Sequence, residues 1–193
     1  MAARNVDRMS DLAELGAKRL RMDISLDAEI AAAAYAILAE VDGVDVLVNN
    51  AGFGLYGPVE EMGIDEARYQ FEVNVFGVAR LTQLLLPGMR EKGADTIVNI
   101  TSIGGKIYSL LGEWYHASKH ALEGWSDCLR LELAPFGIRV LIETGFGDVV
   151  TGLSRRSCTN RPFQAALHAG AVAHCRQRWP MHARHRVALC DRN

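Results

Sequence analysis

Apolar positions along this chain alternate between helical and strand spacing. Asp7–Gly16 places Met9, Leu12 and Leu15 on one face and stops at Gly16, which reads as the end of a short helix. Arg19–Ile24 reads as a short strand. Asp27–Val41 is Ala-rich and amphipathic, with Ser25 or Asp27 as its expected cap. Val44–Asn49 is a near-continuous apolar run after Gly43, as a parallel strand buried on both faces requires. A glycine-rich loop spans Gly52–Gly63. Asp65–Leu86 predicts a long helix closed by Pro87-Gly88, and Thr96–Thr101 another apolar strand. Glu113–Leu133 predicts a second long helix ended before Pro135, and Ile138–Glu143 a last strand.

Strands that alternate with helices are joined by crossovers, so the expected class is α/β, a parallel sheet covered on both faces. Met1–Asn5 looks like the tail of a strand, so the chain is expected to open partway through such a unit.

Composition adds an asymmetry. The 193 residues suit one domain, and 49% hydrophobic with 23% charged residues is a globular balance. The net charge of −2 suggests neither a nucleic-acid nor a membrane partner. That average conceals 13 Lys+Arg against 22 Asp+Glu in residues 1–150, and 8 against 1 in residues 151–193. Two kinds of sequence therefore meet near residue 150: an expected catalytic domain, 1–150, and a basic tail, 151–193. Met1–Leu12 is charged and carries no apolar signal core, and Ala31–Ala39 is too short to span a bilayer. Cys128 lies alone in a helical pattern, whereas Cys158, Cys175 and Cys190 fall in the tail. The expected protein is soluble, reduced and cytoplasmic.

Candidate chemistry collects beyond the carboxyl ends of the strands, where open α/β sheets place their sites. Asn49-Asn50-Ala51-Gly52 ends one strand and Ser102 the next, while Asn74 lies in the first long helix. Tyr115 and Lys119, four residues apart, share a helix face. An ammonium near a phenol favours the phenolate, so Lys119 is expected to lower the Tyr115 pKa and make it an acid/base near neutral pH. Ser102 is expected to orient the same substrate oxygen, and Asn74 to hold a water that relays the proton. Taken singly, a Tyr/Lys pair on a helix is more often merely solvated.

Together, Asn49-Asn50-Ala51-Gly52, Val73-Asn74-Val75, Ile100-Thr101-Ser102 and Tyr115-His-Ala-Ser-Lys119 resemble the short-chain dehydrogenase/reductase family. The thirteen-residue step from Ser102 to Tyr115 fits too. Gly54–Val140 looks most like the 17β-hydroxysteroid and retinol dehydrogenase-like branch, and the similarity covers about residues 1–143. The resemblance implies a Rossmann-like, doubly wound fold, a nicotinamide cofactor, and hydride transfer to or from an alcohol or carbonyl carbon. It implies Tyr115 as acid/base, with Lys119 lowering its pKa and touching the nicotinamide ribose. Ser102 would position substrate and Asn74 support the relay. Asn50, Ala51 and Gly52 would line the adenosine side, with Asp23 and Ile24 at the adenine. Arg4 stands where the family's NADP users place a base for the 2′-phosphate, which favours NADP over NAD. The family pairs its two long helices across a dimer interface, so a homo-oligomer through 65–86 and 113–133 is expected. No metal is implied.

Gly52-Phe-Gly54-Leu-Tyr-Gly57 matches G-x-G-x-x-G but overlaps the Asn-Asn-Ala-Gly box, so it reads as a substrate-side loop rather than a pyrophosphate cradle. The family's Thr-Gly-x-x-x-Gly-x-Gly turn is absent, since only Gly16 and Gly43 precede Gly52. The fold is therefore expected to be incomplete, lacking its first, central strand. The flanking strands would then keep unpaired backbone groups unless they close the gap and pair directly. Ile142–Gly147 lacks the Pro-Gly that usually follows the family's sixth strand, and Thr144 reads as a remnant of the next segment, with no role carried over to it. In the tail, Cys175, His182 and His185 fit no standard zinc spacing, and its eight arginines lack interleaved aromatics. A poorly ordered or non-homologous terminus, as from a GC-rich gene read out of frame, is the favoured reading.

The expected function is an NADP-preferring oxidoreductase acting on a small-molecule alcohol or carbonyl compound, with cofactor affinity expected to be poor because the phosphate cradle is missing. The alternative is a non-catalytic remnant or dimerisation partner. An extended-type epimerase shares Tyr-x-x-x-Lys but is disfavoured by the Asn-Asn-Ala-Gly box.

Overall fold

The computed structural model describes residues 1–9, 16–41, 43–93 and 95–144. Five strands appear in it: β1 (Ala2–Ala3), β2 (Leu20–Arg21), β3 (Val46–Asn49), β4 (Thr96–Ile100) and β5 (Arg139–Glu143). The α-helices are α1 (Asp27–Glu40), α2 (Ile64–Phe71), α3 (Gly77–Lys92) and α4 (Glu113–Leu133). A π-helical turn, Glu72–Phe76, joins α2 to α3. Alternation of helix and strand thus gives the expected Rossmann-like α/β arrangement, with every described strand pair parallel.

The strands form two sheets, β1–β2 and β3–β4–β5. Of the two outcomes open to β1 and β3, direct pairing is not the one adopted. Val46 and Val48 on β3 stay 56% and 54% exposed, while Leu47 and Asn49 turn inward. Apolar packing joins the two sheets: Met22, Ile24, Ile30 and Ala34 share a core with Leu47, Val73, Leu85, Met89, Ile97 and Val140. The closest approach is at Gly77, where a Cβ would lie 2.0 Å from the Ile24 carbonyl oxygen. Beneath β3 and β4 runs a buried polar ladder. Asn49 Nδ2 donates to Asn99 Oδ1 at 2.8 Å and to Thr82 Oγ1 at 3.1 Å, and Asn99 Nδ2 donates to Ser126 Oγ at 2.8 Å. These partners come from β3, β4, α3 and α4, so the ladder fixes strand register against both helices.

Three local expectations need correction. The long helix does not close at Pro87-Gly88 but runs on to Lys92. Pro87 and Gln83, whose carbonyl loses its i+4 donor, are exposed, while Leu85 and Met89 on the opposite face are fully buried. Their burial outweighs one lost solvent-side hydrogen bond. The actual stop is Gly93, left-handed at φ 72°, whose N–H bonds to the Met89 carbonyl. The same helix is not uniformly α but opens into the π turn at Asn74. Neither Ser25 nor Asp27 caps α1; the N-cap is Leu26, without a side-chain bond. Ser25 donates its hydroxyl to Asp23 Oδ1 at 2.7 Å, and Asp27 binds Arg80 at 2.6 Å.

By contrast, α4 spans Glu113–Leu133, as its periodicity predicts. The expected helical face of Leu12 and Leu15 lies outside the described residues, as do Gly145–Gly147, the tail cysteines and histidines, and the whole of 151–193. Among the described residues no helix is long and apolar enough to cross a membrane. No group of three His, Cys, Asp or Glu side chains there could hold a metal ion.

Candidate active site

Tyr115 sits in the first turn of α4, in a slot made by two glycines. A Cβ at Gly54 would lie 3.1 Å from Tyr115 Cδ2, and one at Gly104 only 2.9 Å from Tyr115 Cε1. The phenol is therefore clamped between the loop after β3 and the 3₁₀ turn Ile103–Gly105 after β4. Its hydroxyl bonds with Ser102, which is buried at the end of β4. Ser102 Oγ in turn accepts from Gly104 N at 3.0 Å.

The expected lowering of the Tyr115 pKa by Lys119 is not what the geometry gives. Burial pushes the phenol above 10, and the Ser102 hydrogen bond offsets only part of that. The Lys119 ammonium instead donates to the Ile100 carbonyl at 3.1 Å. It is 5% exposed, and burial pulls its pKa down to about 8, against an opposing attraction from Glu123 one turn on. Glu123 itself accepts from Thr101 Oγ1 at 2.6 Å and pairs with Lys106 at 2.7 Å.

Asn74 lies fully buried at the π turn and grips the loop after β3. Its Oδ1 accepts from Phe53 N at 3.0 Å, and its Nδ2 donates to Phe53 O and to Ser118 Oγ, each at 2.9 Å. Gln70, one turn earlier and equally buried, accepts from Leu55 N at 2.8 Å. Ser118 donates back to the Tyr115 carbonyl at 2.8 Å. Gln70 and Ser118 were not sequence candidates; the i, i+4 spacing of Gln70 and Asn74 was their one visible signal. The decoy motif Gly52–Gly57 is the loop held here, packed on Tyr115, and the next α-helix begins only at Ile64.

A cleft opens at the ends of β1, β2 and β3. Arg4, Asp23, Ile24, Ala51 and Gly52 line it, with Ala2, Ala3, Met22, Phe53 and Val73. Asn50 follows β3 half-buried and is not on that wall. Arg4 donates to the Tyr69 hydroxyl at 3.2 Å, and Asp23 Oδ1 is committed to Ser25. Gly52 links this cleft to the reaction side: a Cβ there would meet Asn74 Oδ1 at 3.2 Å and Lys119 Nζ at 3.3 Å. A side chain at this position would crowd both groups, so glycine keeps the space between them open. The donor set fits a nicotinamide dinucleotide at both ends, with Arg4 and Asp23 at one and Lys119, Tyr115 and Ser102 at the other.

Comparison with known proteins identifies the family. The model of the short chain dehydrogenase family matches residues 2–160, past Glu143 and into the basic tail. Over 110 residues the chain is 48% identical to the probable short-chain type dehydrogenase/reductase VdlC of Helicobacter pylori, covering 56% of this chain and 41% of that protein. It is 39% identical over 126 residues to retinol dehydrogenase 8 of Homo sapiens, covering 65% and 40%. A solved metagenomic short-chain oxidoreductase in complex with NADP aligns with a TM-score of 0.69 at 32% identity, over 73% of this chain and 67% of that one. The chain thus spans half or less of the length of these two curated relatives. With the family's motifs in order and its model matching residues 2–160 of 193, this chain is a member of the short-chain dehydrogenase family.

Proposed function

We propose that this site transfers a hydride between NADP(H) and an alcohol or carbonyl carbon, with NAD as the alternative cofactor. The observation that carries the reading is the Ser102–Tyr115 hydroxyl pair, held in a glycine slot beside a buried lysine. Reduced nicotinamide, when bound, supplies the hydride. In the reducing direction Tyr115, held protonated by burial, donates its phenolic proton to the carbonyl oxygen as the carbon gains the hydride. Ser102 donates a hydrogen bond to the same oxygen and fixes its position. Lys119, beside Gly52, holds the ribose hydroxyls and returns a proton toward Tyr115; a pKa lowered to about 8 suits that exchange. Asn74 and Gln70 brace the loop between them and support the relay. Arg4, the cation on the cleft wall, takes the 2′-phosphate, with Asp23, Ile24, Ala51 and Gly52 around the adenosine and Asn50 just behind that wall. Residues 1–150 form the catalytic domain in this reading.

The test is titration of the purified chain with NADPH, followed by fluorescence. Saturable micromolar binding supports the enzyme reading; no binding at millimolar cofactor rejects it. Where turnover is seen, Tyr115→Phe abolishes it and leaves binding nearly intact. Turnover that survives this change refutes the assigned chemistry.

A second reading, an association partner, draws on exposed Tyr69, Phe76 and Leu131 on the two long helices, 65–86 and 113–133. Copies would pair there whether or not catalysis occurs. A monomer at all concentrations in sedimentation removes it.

A further inference from the structure

The segment between Ser102 and Tyr115 carries a set of apolar side chains turned to solvent beside the site. Tyr108 is 83% and Leu110 79% exposed, and Leu111 sits in the left-handed region at φ 66°, rare for a non-glycine residue. Such a segment has little core of its own to hold it.

What ties it down is the buried His116, next to Tyr115. Its Nδ1 lies 2.8 Å from the Gly104 carbonyl oxygen. Its Nε2 lies 3.1 Å from Ser109 N and 2.8 Å from Ser109 Oγ. A backbone N–H only donates, so Nε2 is the acceptor and the ring proton resides on Nδ1. One imidazole therefore cross-links both ends of the loop. The surroundings are shaped for it: a Cβ at Gly104 would fall 3.1 Å from Nδ1, and one at Gly112 only 2.7 Å from Cδ2. Tyr56 packs edge-on to the ring and shares Ser109 through its hydroxyl. Gly57 N binds Leu111 O at 2.9 Å, which ties the same loop to the neighbouring one.

The Gly104 peptide is the link to chemistry. Its carbonyl accepts from His116 while its N–H occupies one lone pair of Ser102 Oγ. Fixing that peptide leaves the Ser102 proton free to point at Tyr115 or a substrate oxygen. We propose that His116 is a positioning residue: as the neutral Nδ1–H tautomer it latches the 103–112 loop and, through Gly104, orients Ser102. The orienting half rests on the oxidoreductase reading above; the latch itself does not. The groups facing the ring are Tyr115 on its own helix, Tyr56 on the loop after β3, and Ser109 and the Gly104 carbonyl on the latched loop. His120, one turn on, bonds its Nδ1 to the His116 carbonyl at 2.8 Å.

Nitrogen NMR of the labelled wild-type chain tests the tautomer without any variant. A protonated Nδ1 with an acceptor Nε2 is expected; a protonated Nε2 overturns the proposal. Hydrogen exchange tests the latch. In His116→Leu the Ser109 amide is expected to exchange roughly tenfold faster or more, while amides of Thr96–Ile100 keep their wild-type rates. His116→Gln, which can still present an acceptor to Ser109, is expected to recover part of that protection. Unchanged Ser109 exchange in His116→Leu refutes the latch, and if that variant fails to fold, the wild-type tautomer and His116→Gln decide. With NADPH and a turned-over carbonyl, His116→Leu is expected to lower kcat by roughly tenfold with little change in cofactor KM. A KM effect alone rejects the link to Ser102. Tyr115→Phe retaining turnover would refute the oxidoreductase reading while leaving the exchange result to judge the latch.

Discussion

Burial of Lys119 makes a quantitative claim about stability and pH. An ammonium in the folded chain has exchanged water for one carbonyl at 3.1 Å and a partly shared carboxylate. Its pKa falls from 10.5 to about 8. At about 1.4 kcal/mol per pH unit, the buried charge costs roughly 3 kcal/mol at neutral pH relative to a neutral amine. Between about pH 8 and 10.5 the unfolded chain holds a proton that the folded chain has released. Stability therefore rises with pH across that window. Tyr115 acts in the opposite direction only above 10, where the folded phenol keeps its proton longer. The useful comparison is Lys119→Met against wild type by urea denaturation at pH 7.5, 8.5 and 9.5. Loss of the bond to the Ile100 carbonyl adds an offset that does not vary with pH. The stability of the variant relative to wild type is expected to fall by about 2 kcal/mol from pH 7.5 to 9.5, as wild type sheds its buried charge. A difference that stays constant, or grows with pH, would refute the claim that desolvation dominates at this lysine.

Other outcomes follow from the same packing. Gly77→Ala drives a methyl to 2.0 Å from the Ile24 oxygen, over 1 Å inside ordinary contact, and is expected to cost about 3 kcal/mol in urea denaturation; a loss below about 1 kcal/mol rejects the close approach. Gly104→Ala presses on Tyr115 at 2.9 Å and on His116, and is expected to reduce NADPH-linked turnover by at least about tenfold, more than Gly54→Ala, whose nearest contacts, Tyr115 and Tyr56, lie at 3.1 Å. Equal and small losses would argue against the slot. Asn74→Asp sets an oxygen against the Phe53 carbonyl and removes the donor to Ser118, so a loss of about 3 kcal/mol is expected from the urea midpoint, easing as acid protonates the new carboxyl.

Legibility from sequence divided along a physical line. Local spacing was enough for α4, whose apolar stripe and Pro135 mark both ends. It also delivered Ser102, Tyr115, Lys119 and Asn74 to one region, because strand ends and helix starts in parallel sheets converge. It failed at Pro87, where a rule about one hydrogen bond competed with the burial of Leu85 and Met89 several residues away. It failed for the cap of α1, since Ser25 had a better partner in Asp23. Gln70 and His116 were hard to read because each holds backbone atoms of a loop, and Ser118 because its partners Gln70 and Asn74 come from another helix; no pattern along the chain encodes those contacts. The pKa of Tyr115 was misjudged because proximity to a lysine in sequence does not fix where the ammonium points.

The two separate sheets have a consequence for cooperativity. Among the described residues β1–β2 has no ladder across to β3 and joins the rest through apolar packing and a few side-chain bonds, Arg4 to Tyr69 among them. The smaller sheet can then open as its own unit at lower free energy than β3–β4–β5. The cleft with Arg4 and Asp23 on one rim and Gly52 on the other spans that joint. A molecule bound across it would act as the missing fastener, so ligand occupancy and the folding of the smaller sheet become one equilibrium rather than two.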